Sequence, residues 1–392
     1  MHPTDQRKYN NPPATPSSIG DFQMHEFFYY KQALIEAVRE QYFQPLASMR
    51  QMPKHMGKKI KQHHYLPLLD DENINDQGID ATGAEIADGN LYGSSKDPGL
   101  IATKFPTLSE TGGRVNRVGF RRKEIEGTME KFGIFDEYTQ ESIDFDSDSE
   151  LRMHVSREMI RGASEMTEDM LQIDLLNNAG VVFYPGGATS VATIDDTVIT
   201  YADLLRLHLT LGHNRTPLQT KMMTGTRMTD SRTIAGGRMM YIGHELQPMF
   251  ERMTDFHGKE AFIPVHKYGA GLTPAHGEIG SVGHFRLIVN PEMMSWPGAG
   301  SSAADLDDYY STAGQLDVFP CLVIGQGSFT TIGFQTDGKK MKFTIYHKKP
   351  GEGVADRFDP YGETGFMSIK FWYGFMVLRP ERLALMYSAG IM

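Results

Sequence analysis

The sequence predicts an α+β fold with one element projecting from its body, and three observations carry that expectation. A long amphipathic helix pattern runs from about Ser149 to Asn177. Apolar residues alternate with others along Gly365–Leu378, the period-2 mark of a strand. Between residues 50 and 138, two basic, strand-like stretches enclose an acidic one that has no hydrophobic period.

The chain has 392 residues, with 39 Lys+Arg against 49 Asp+Glu and a formal charge of −10. Its 40% hydrophobic content supports a sizeable core, in one two-lobed unit or in two to three domains. The acidic balance argues against a dedicated nucleic-acid binder, because neutralising phosphates requires clustered Lys/Arg. A lone cysteine, Cys321, excludes an internal disulfide framework and a Cys-rich zinc site, and fits a reducing compartment. Residues 1–20 lack the apolar run of a secretory signal. The longest uncharged stretch, Leu175–Ile194, is interrupted by Asn177, Asn178, Pro185 and three glycines, so it is no membrane span. The expectation is a soluble protein of the cytosolic type.

In chain order, residues 1–20 are polar and proline-rich and should be held by another copy of the chain. Met24–Phe43 reads as an amphipathic helix, with Phe27, Leu34, Ile35, Val38 and Tyr42 at helical spacing. The next segment opens with MGKKIKQHHYLPLL and closes with RVNRVGFRRKEIEGTMEKFGIF. From Asp70 to Gly112 it holds nine acids and two bases. A structureless stretch of that length is uncommon inside a compact domain. The arrangement describes a two-stranded arm with a long acidic tip, stable only against an external partner. Asp136–Glu150 carries seven acids and no base, which suits the positive end of the helix that follows; Ser147 and Glu150 stand at capping-box spacing. In that helix Leu151, Val155, Met159, Ala163, Met166, Met170 and Ile173 form the expected buried stripe, and Asn178 and Gly180 its stop. Thr200 and Asp203 make a second capping box, for a helix to Leu211 with Gly212 just beyond. Strands are expected at Met239–Ile242, Phe285–Val289, Val318–Ile324, Thr330–Phe334, Lys342–His347 and Gly365–Leu378.

No catalytic constellation emerges. The histidines form no HExxH, and His63-His64 sits in a strand pattern whose neighbours face opposite sides. Asp71, Asn73, Asn75 and Gly78 only superficially resemble a calcium loop. Gly325-Gln326-Gly327 lacks the third glycine and following helix of a dinucleotide site, and Gly280-Ser281-Val282-Gly283 has Ile279 where a nucleophile elbow needs Gly. Cys321 lies in an apolar strand and reads as buried and inert. The paired methionines, among them Met239-Met240 and Met293-Met294, read as core filler. Arg50, Lys54, Lys58, Lys59 and Lys61 suit either phosphates or the acidic tip of a neighbouring copy. The second reading is favoured, because the sequence supplies both signs.

A polar arm, a helix, a long hairpin-like excursion, one very long helix and an α+β remainder closing on a long strand: this order resembles the HK-97 fold of tailed-phage major capsid proteins. Met52–Gly83 (MPKHMGKKIKQHHYLPLLDDENINDQGIDATG) looks like the E-loop of the family typified by coliphage N-four. Thr220–Ile234 (TKMMTGTRMTDSRTI) and Asp359–Leu378 (DPYGETGFMSIKFWYGFMVL) look like further blocks of it, and Glu381–Met386 (ERLALM) resembles the closing segment of the wider fold. The resemblance implies an HK-97-like α+β architecture. Its parts would be an N-terminal arm and helix (1–49), an E-loop region (50–138), a P-domain with spine helix (139–195), an A-domain with P-domain strands (196–375) and a C-terminal return (376–392). It also implies a structural shell protein rather than an enzyme, needing no cofactor or metal. Hexamers and pentamers would close an icosahedral head around double-stranded DNA, assembled in the host cytoplasm. Portal, scaffold and decoration proteins are further partners it allows, with only weak, non-specific DNA contact. A compartment shell of the same fold and a cytosolic enzyme are the alternatives. Lys58, Lys59, Lys61, Asp70, Asp71, Glu72, Arg117, Arg121 and Arg122 are the expected subunit-contact residues. Gly298–Leu316 reads as a surface insertion.

Overall fold

The computed structural model describes residues 42–52, 55, 57–65, 122–144, 151–223, 231–268, 274–302, 308–334, 343–351, 353 and 359–392. The expected polar arm, most of the Met24–Phe43 helix, the acidic tip and the Ser147–Glu150 box lie outside them.

In chain order the elements are β1 (Ser48–Met52), β2 (Lys59–Tyr65), β3 (Arg122–Thr139), α1 (Gln140–Asp144), α2 (Leu151–Asn177), β4 (Val181–Phe183), α3 (Tyr201–His213), β5 (Gln219–Met223) and β6 (Ser231–Ile242). There follow α4 (Gln247–Glu251), β7 (Phe262–Pro264), β8 (Glu278–Val282), β9 (Phe285–Val289), β10 (Ser311–Thr312), β11 (Gln315–Leu316), β12 (Val318–Ile324), β13 (Phe329–Phe334), β14 (Phe343–Lys348), β15 (Thr364–Val377) and β16 (Leu383–Ala389). The strands make two large sheets. One is ordered β1-β13-β15-β3-β2, with β14 also on β15. The other is mixed, β4-β16-β12-β6-β9-β8-β7, with β5 on β6. The parallel pairs are β1 with β13, β4 with β16 and β6 with β9.

The long helix α2 stands between the sheets. Its 27 residues span about 40 Å at 1.5 Å per residue. Its buried face joins Met367, Ile369, Phe371 and Tyr373 of β15 to Leu322 of β12 and Leu385 of β16 in one core. A second core lies on the other face of the mixed sheet, where Leu204, Leu207 and Leu211 of α3 meet Met240, Leu287, Cys321 and Met386. Strand β12 is buried along its whole length, as a central strand must be. Burial also pushes the Cys321 thiol above its ordinary range, which keeps it protonated and unreactive.

Most expected strands appear within one or two residues of their sequence limits; β6 begins eight residues earlier. The α3 capping box is present, Thr200 Oγ1 accepting the Asp203 N–H while Asp203 accepts the Thr200 N–H at 3.0 Å. The helix, however, runs through Gly212 to His213, and the left-handed position after it is taken by Arg215 (φ 49°). At the end of α2, Asn178 Nδ2 donates to the Asp174 carbonyl at 2.8 Å. Gly180 passes so close to Pro380 that a Cβ would sit 2.6 Å from its carbonyl carbon.

The stripe on α2 departs from expectation. Met166 and Ile173 are exposed, at 39% and 45%, and the buried row past Ala163 continues through Thr167, Leu171 and Leu175. A run of four-residue steps drifts around the helix, and polar residues can occupy it where their groups are bonded. Thr167 donates its hydroxyl to the Ala163 carbonyl at 2.6 Å, and Gln172 is buried beside Met293.

Candidate assembly surface

Strand β3 belongs to two structures at once. Its C-terminal part, Thr128–Thr139, pairs with β15 inside the body, ending at Thr128 opposite Phe375. Its N-terminal part, Arg122–Thr128, pairs with β2, from Lys59 opposite Thr128 to Tyr65 opposite Arg122. Eighteen residues at ~3.3 Å each make a strand of roughly 60 Å, and its outer third is a two-stranded arm.

The two faces of the arm differ because alternate residues point to opposite sides. On the inner face, Ile60 and Ile125 pack with Trp372 and Leu378 against a small core of Met52, Met129, Ile332 and Met376. Two glycines allow the close approach. A Cβ on Gly127 would lie 2.8 Å from Met376 Cβ, and one on Gly374 would lie 2.9 Å from Met129 Cγ. His64 shares this inner face; burial, then Arg379, Arg50 and Lys123, hold its pKa below the ordinary value.

The outer face is charged and exposed along its length, from Lys59, Lys61, His63 and Tyr65 on β2 to Arg122, Glu124, Glu126, Thr128 and Glu130 on β3. Lys61 Nζ stands 2.5 Å from Glu126 Oε1 and 3.6 Å from Glu124 Oε2. Lys59 reaches Glu126 at 3.7 Å, Arg122 reaches Glu124 at 3.0 Å, and His63 Nδ1 lies 3.5 Å from Glu124. The hydrogen bond and charge of Glu126 raise the Lys61 pKa, and Lys61 lowers that of Glu126 in return. Lys58 lies over the Trp372 ring, 5.9 Å from its centre.

Of the expected contact residues, the structure therefore brings Lys58, Lys59, Lys61 and Arg122 together on the arm. Asp70, Asp71, Glu72, Arg117 and Arg121 lie outside the described residues. Sequence reasoning missed Glu124 and Glu126 as the partners of the lysines. Their signal was the matching period of two, Lys59 and Lys61 on one strand against Glu124 and Glu126 on the other. Of the apolar stem residues, Ile60 and Ile125 serve the chain's own core, while Tyr65 is 64% exposed.

Among the described residues no group of three His, Cys, Asp or Glu is placed to hold a metal ion. The Gly325-Gln326-Gly327 turn is filled by its own chain: Gly325 donates to the Arg382 carbonyl at 3.0 Å, and Arg382 Nη1 donates to the Gln326 carbonyl at 3.2 Å. Among the described residues no helix is long and apolar enough to cross a membrane.

Comparison with known proteins agrees with this architecture. The family described as phage capsid protein matches residues 122–385, from the start of β3 into β16, leaving β1 and β2 outside the match. The major capsid protein of Pseudomonas phage KPP21 is 59% identical over 386 residues, covering 98% of this chain and 97% of that one. Among solved structures, the capsid of Ralstonia phage GP4 superposes with a TM-score of 0.57 at 10% identity, over 93% of this chain and 95% of that one. The capsid of cyanophage Pam1 gives 0.53 at 10% identity, over 95% and 98%. The two structural likenesses show a shared HK-97-type fold, and the full-length sequence match supplies the identity. With a family match over more than half its length and a relative this similar end to end, the chain belongs to the major capsid proteins of tailed phages.

Proposed function

We propose that copies of this chain form hexamers and pentamers that close an icosahedral head around double-stranded DNA. The β2–β3 arm of each copy would lie across its neighbour. The observation that carries this reading is β3 itself, one strand that leaves the body sheet to build an arm with a charged face that nothing among the described residues covers. An exposed two-stranded ribbon is marginal in isolation. Its complementary potential suits repeated contacts between identical copies. Because Lys59, Lys61 and Arg122 already hold carboxylates within the arm, what the arm offers is a mixed-sign ladder. A neighbour's acidic Asp70–Gly112 tip would have to compete for the basic rungs.

The chain is read as purely structural, without catalytic role or cofactor, assembled in the host cytoplasm and divided at 49, 138, 195 and 375 as its sequence suggests. Portal, scaffold and decoration proteins would be its further partners. The net charge of −10 suits a container that touches its DNA weakly and without sequence preference. Sedimentation and negative-stain imaging of the purified full chain test the central claim: closed shells are expected. A chain that stays at about 44 kDa at high concentration and after assembly treatment overturns it.

A further inference from the structure

Three basic groups meet where α3 crosses the mixed sheet. His208, midway along α3, stacks on His284 of the β8–β9 turn, with ring centres 3.9 Å apart and planes within 17°. Arg238 of β6, itself buried, donates from Nε to His208 Nδ1 at 3.1 Å. Phe285 stands edge-on to His208, 6.3 Å between centres. Each of the three groups comes from a different element, so the cluster ties α3 to both β6 and the β8–β9 turn.

From this geometry we infer that His208, His284 and Arg238 form a proton-sensitive clamp, closed when the imidazoles are neutral and loosened by mild acid. The hydrogen bond fixes the chemistry. An Nδ1 that accepts from a guanidinium carries no proton, so His208 is the neutral tautomer with its hydrogen on Nε2. Protonating Nδ1 would break that bond and set an imidazolium against a guanidinium and a second, titratable imidazole.

The charges on the surrounding elements offer no relief. On α3, Asp203 caps Thr200 and lies 3.4 Å from Arg206. On β8, the buried Glu278 holds Arg286 of β9 at 2.5 Å and accepts from Tyr268 at 3.0 Å. Burial, His284 and Arg238 all act to hold His208 below the ordinary histidine pKa. A histidine kept neutral in the fold leaves stability intact above the unfolded value of about 6.5 and withdraws it as pH falls from there toward the folded value. The lobe carrying α3 would thus loosen on acidification. This inference does not depend on the arm contacting a neighbour.

The test uses the full chain and its His208→Asn variant. Asn offers a non-titrating acceptor near the Nδ1 position. Thermal midpoints of both are followed from about pH 7.5 to about pH 5. The wild type should lose on the order of 1–3 °C relative to the variant over that range. In histidine-selective NMR of the wild-type subunit, His208 should titrate below about 6.5. Parallel melting curves, or a His208 that titrates at or above the ordinary value, overturn the clamp. Should the variant fail to fold, the wild-type titration alone decides.

Discussion

Glu168 Oε1 accepts the backbone N–H of Phe43 at 2.6 Å. The same carboxylate takes the N–H of Tyr42 at 2.9 Å and, through Oε2, that of Gln44 at 3.2 Å. One side chain of α2 thus gathers the three amides that open the described N-terminal segment, and Phe43 behind them is fully buried. Charge-assisted bonds to backbone amides are the stronger kind. Glu168→Ala should cost about 2–3 kcal/mol, measured by chemical denaturation. Glu168→Gln, which keeps one acceptor, should recover part of the loss. Equal stability of Glu168→Ala and wild type would show that the segment is held by its apolar contacts alone.

The inner face of the arm makes a steric prediction. Gly127 lies against Met376 Cβ and Ile332 Cδ1, at 2.8 and 2.6 Å from a built Cβ. The Ile332 tip can rotate away, but Met376 Cβ is fixed to the backbone of β15. Gly127→Val should therefore lift the arm from its small core and cost about 1–3 kcal/mol as overpacking. The body sheet and α2 should keep their circular dichroism while shell yield falls. A variant that assembles as well as wild type would mean that arm seating is irrelevant to closure.

Glu168 and Glu126 also show what the sequence could and could not tell. Strands β9 and β12 and the α3 capping box were legible because their signals are local: a run of apolar residues, or Thr200 and Asp203 three apart. The two strands of the arm were legible as strands. Their ion pairs were not, because the register of β2 against β3 depends on partners some sixty residues apart in sequence. Glu168 carried no signal of its own, since nothing near it in sequence reveals that residues 42–44 return to α2. The stripe itself went astray at Met166 and Ile173 because helix burial follows the shape of the opposing sheets, which hydropathy does not encode. For the same reason His208, alone on an apolar helix face, gave no hint of Arg238 and His284.

A second tie between helix and sheet carries a pH dependence of known sign. Tyr373 of β15 donates its hydroxyl to Asp174 Oδ2 of α2 at 2.6 Å. Burial raises the Asp174 pKa, with Glu130 adding to it, although the Tyr373 bond opposes the rise. A raised carboxylate means the fold prefers the protonated acid. The group therefore costs stability above its unfolded value of about 3.9 and stops costing as pH falls through it. Asp174→Asn keeps an acceptor for Tyr373 and should stabilise the subunit at pH 7, with the gain vanishing in acid. Tyr373→Phe should instead cost about 1–3 kcal/mol by stranding the carboxylate. Melting curves across pH decide. A destabilising Asp174→Asn at neutral pH would mean that the ionised carboxylate is favoured in the fold.

The outer face of the arm separates an assembly contact from a folding contact. Arg122 holds Glu124, which Lys61 and His63 also approach. These pairs stand in open solvent, where screening leaves them little weight in the stability of the free chain. Reversing Arg121 and Arg122 to Glu should leave the thermal midpoint of the subunit unchanged while lowering the assembled fraction, most strongly at low salt. The cause can then be located by compensation. If Glu124→Lys in the same chain restores shells, the defect was the arm's own ladder. If restoration requires Asp70 and Asp71 reversed to Lys, the arginines were meeting the acidic tip of another copy. Normal shells from the double reversal at low salt would remove these arginine charges from assembly and leave the exposed Tyr65 of the same outer face as the group to test next.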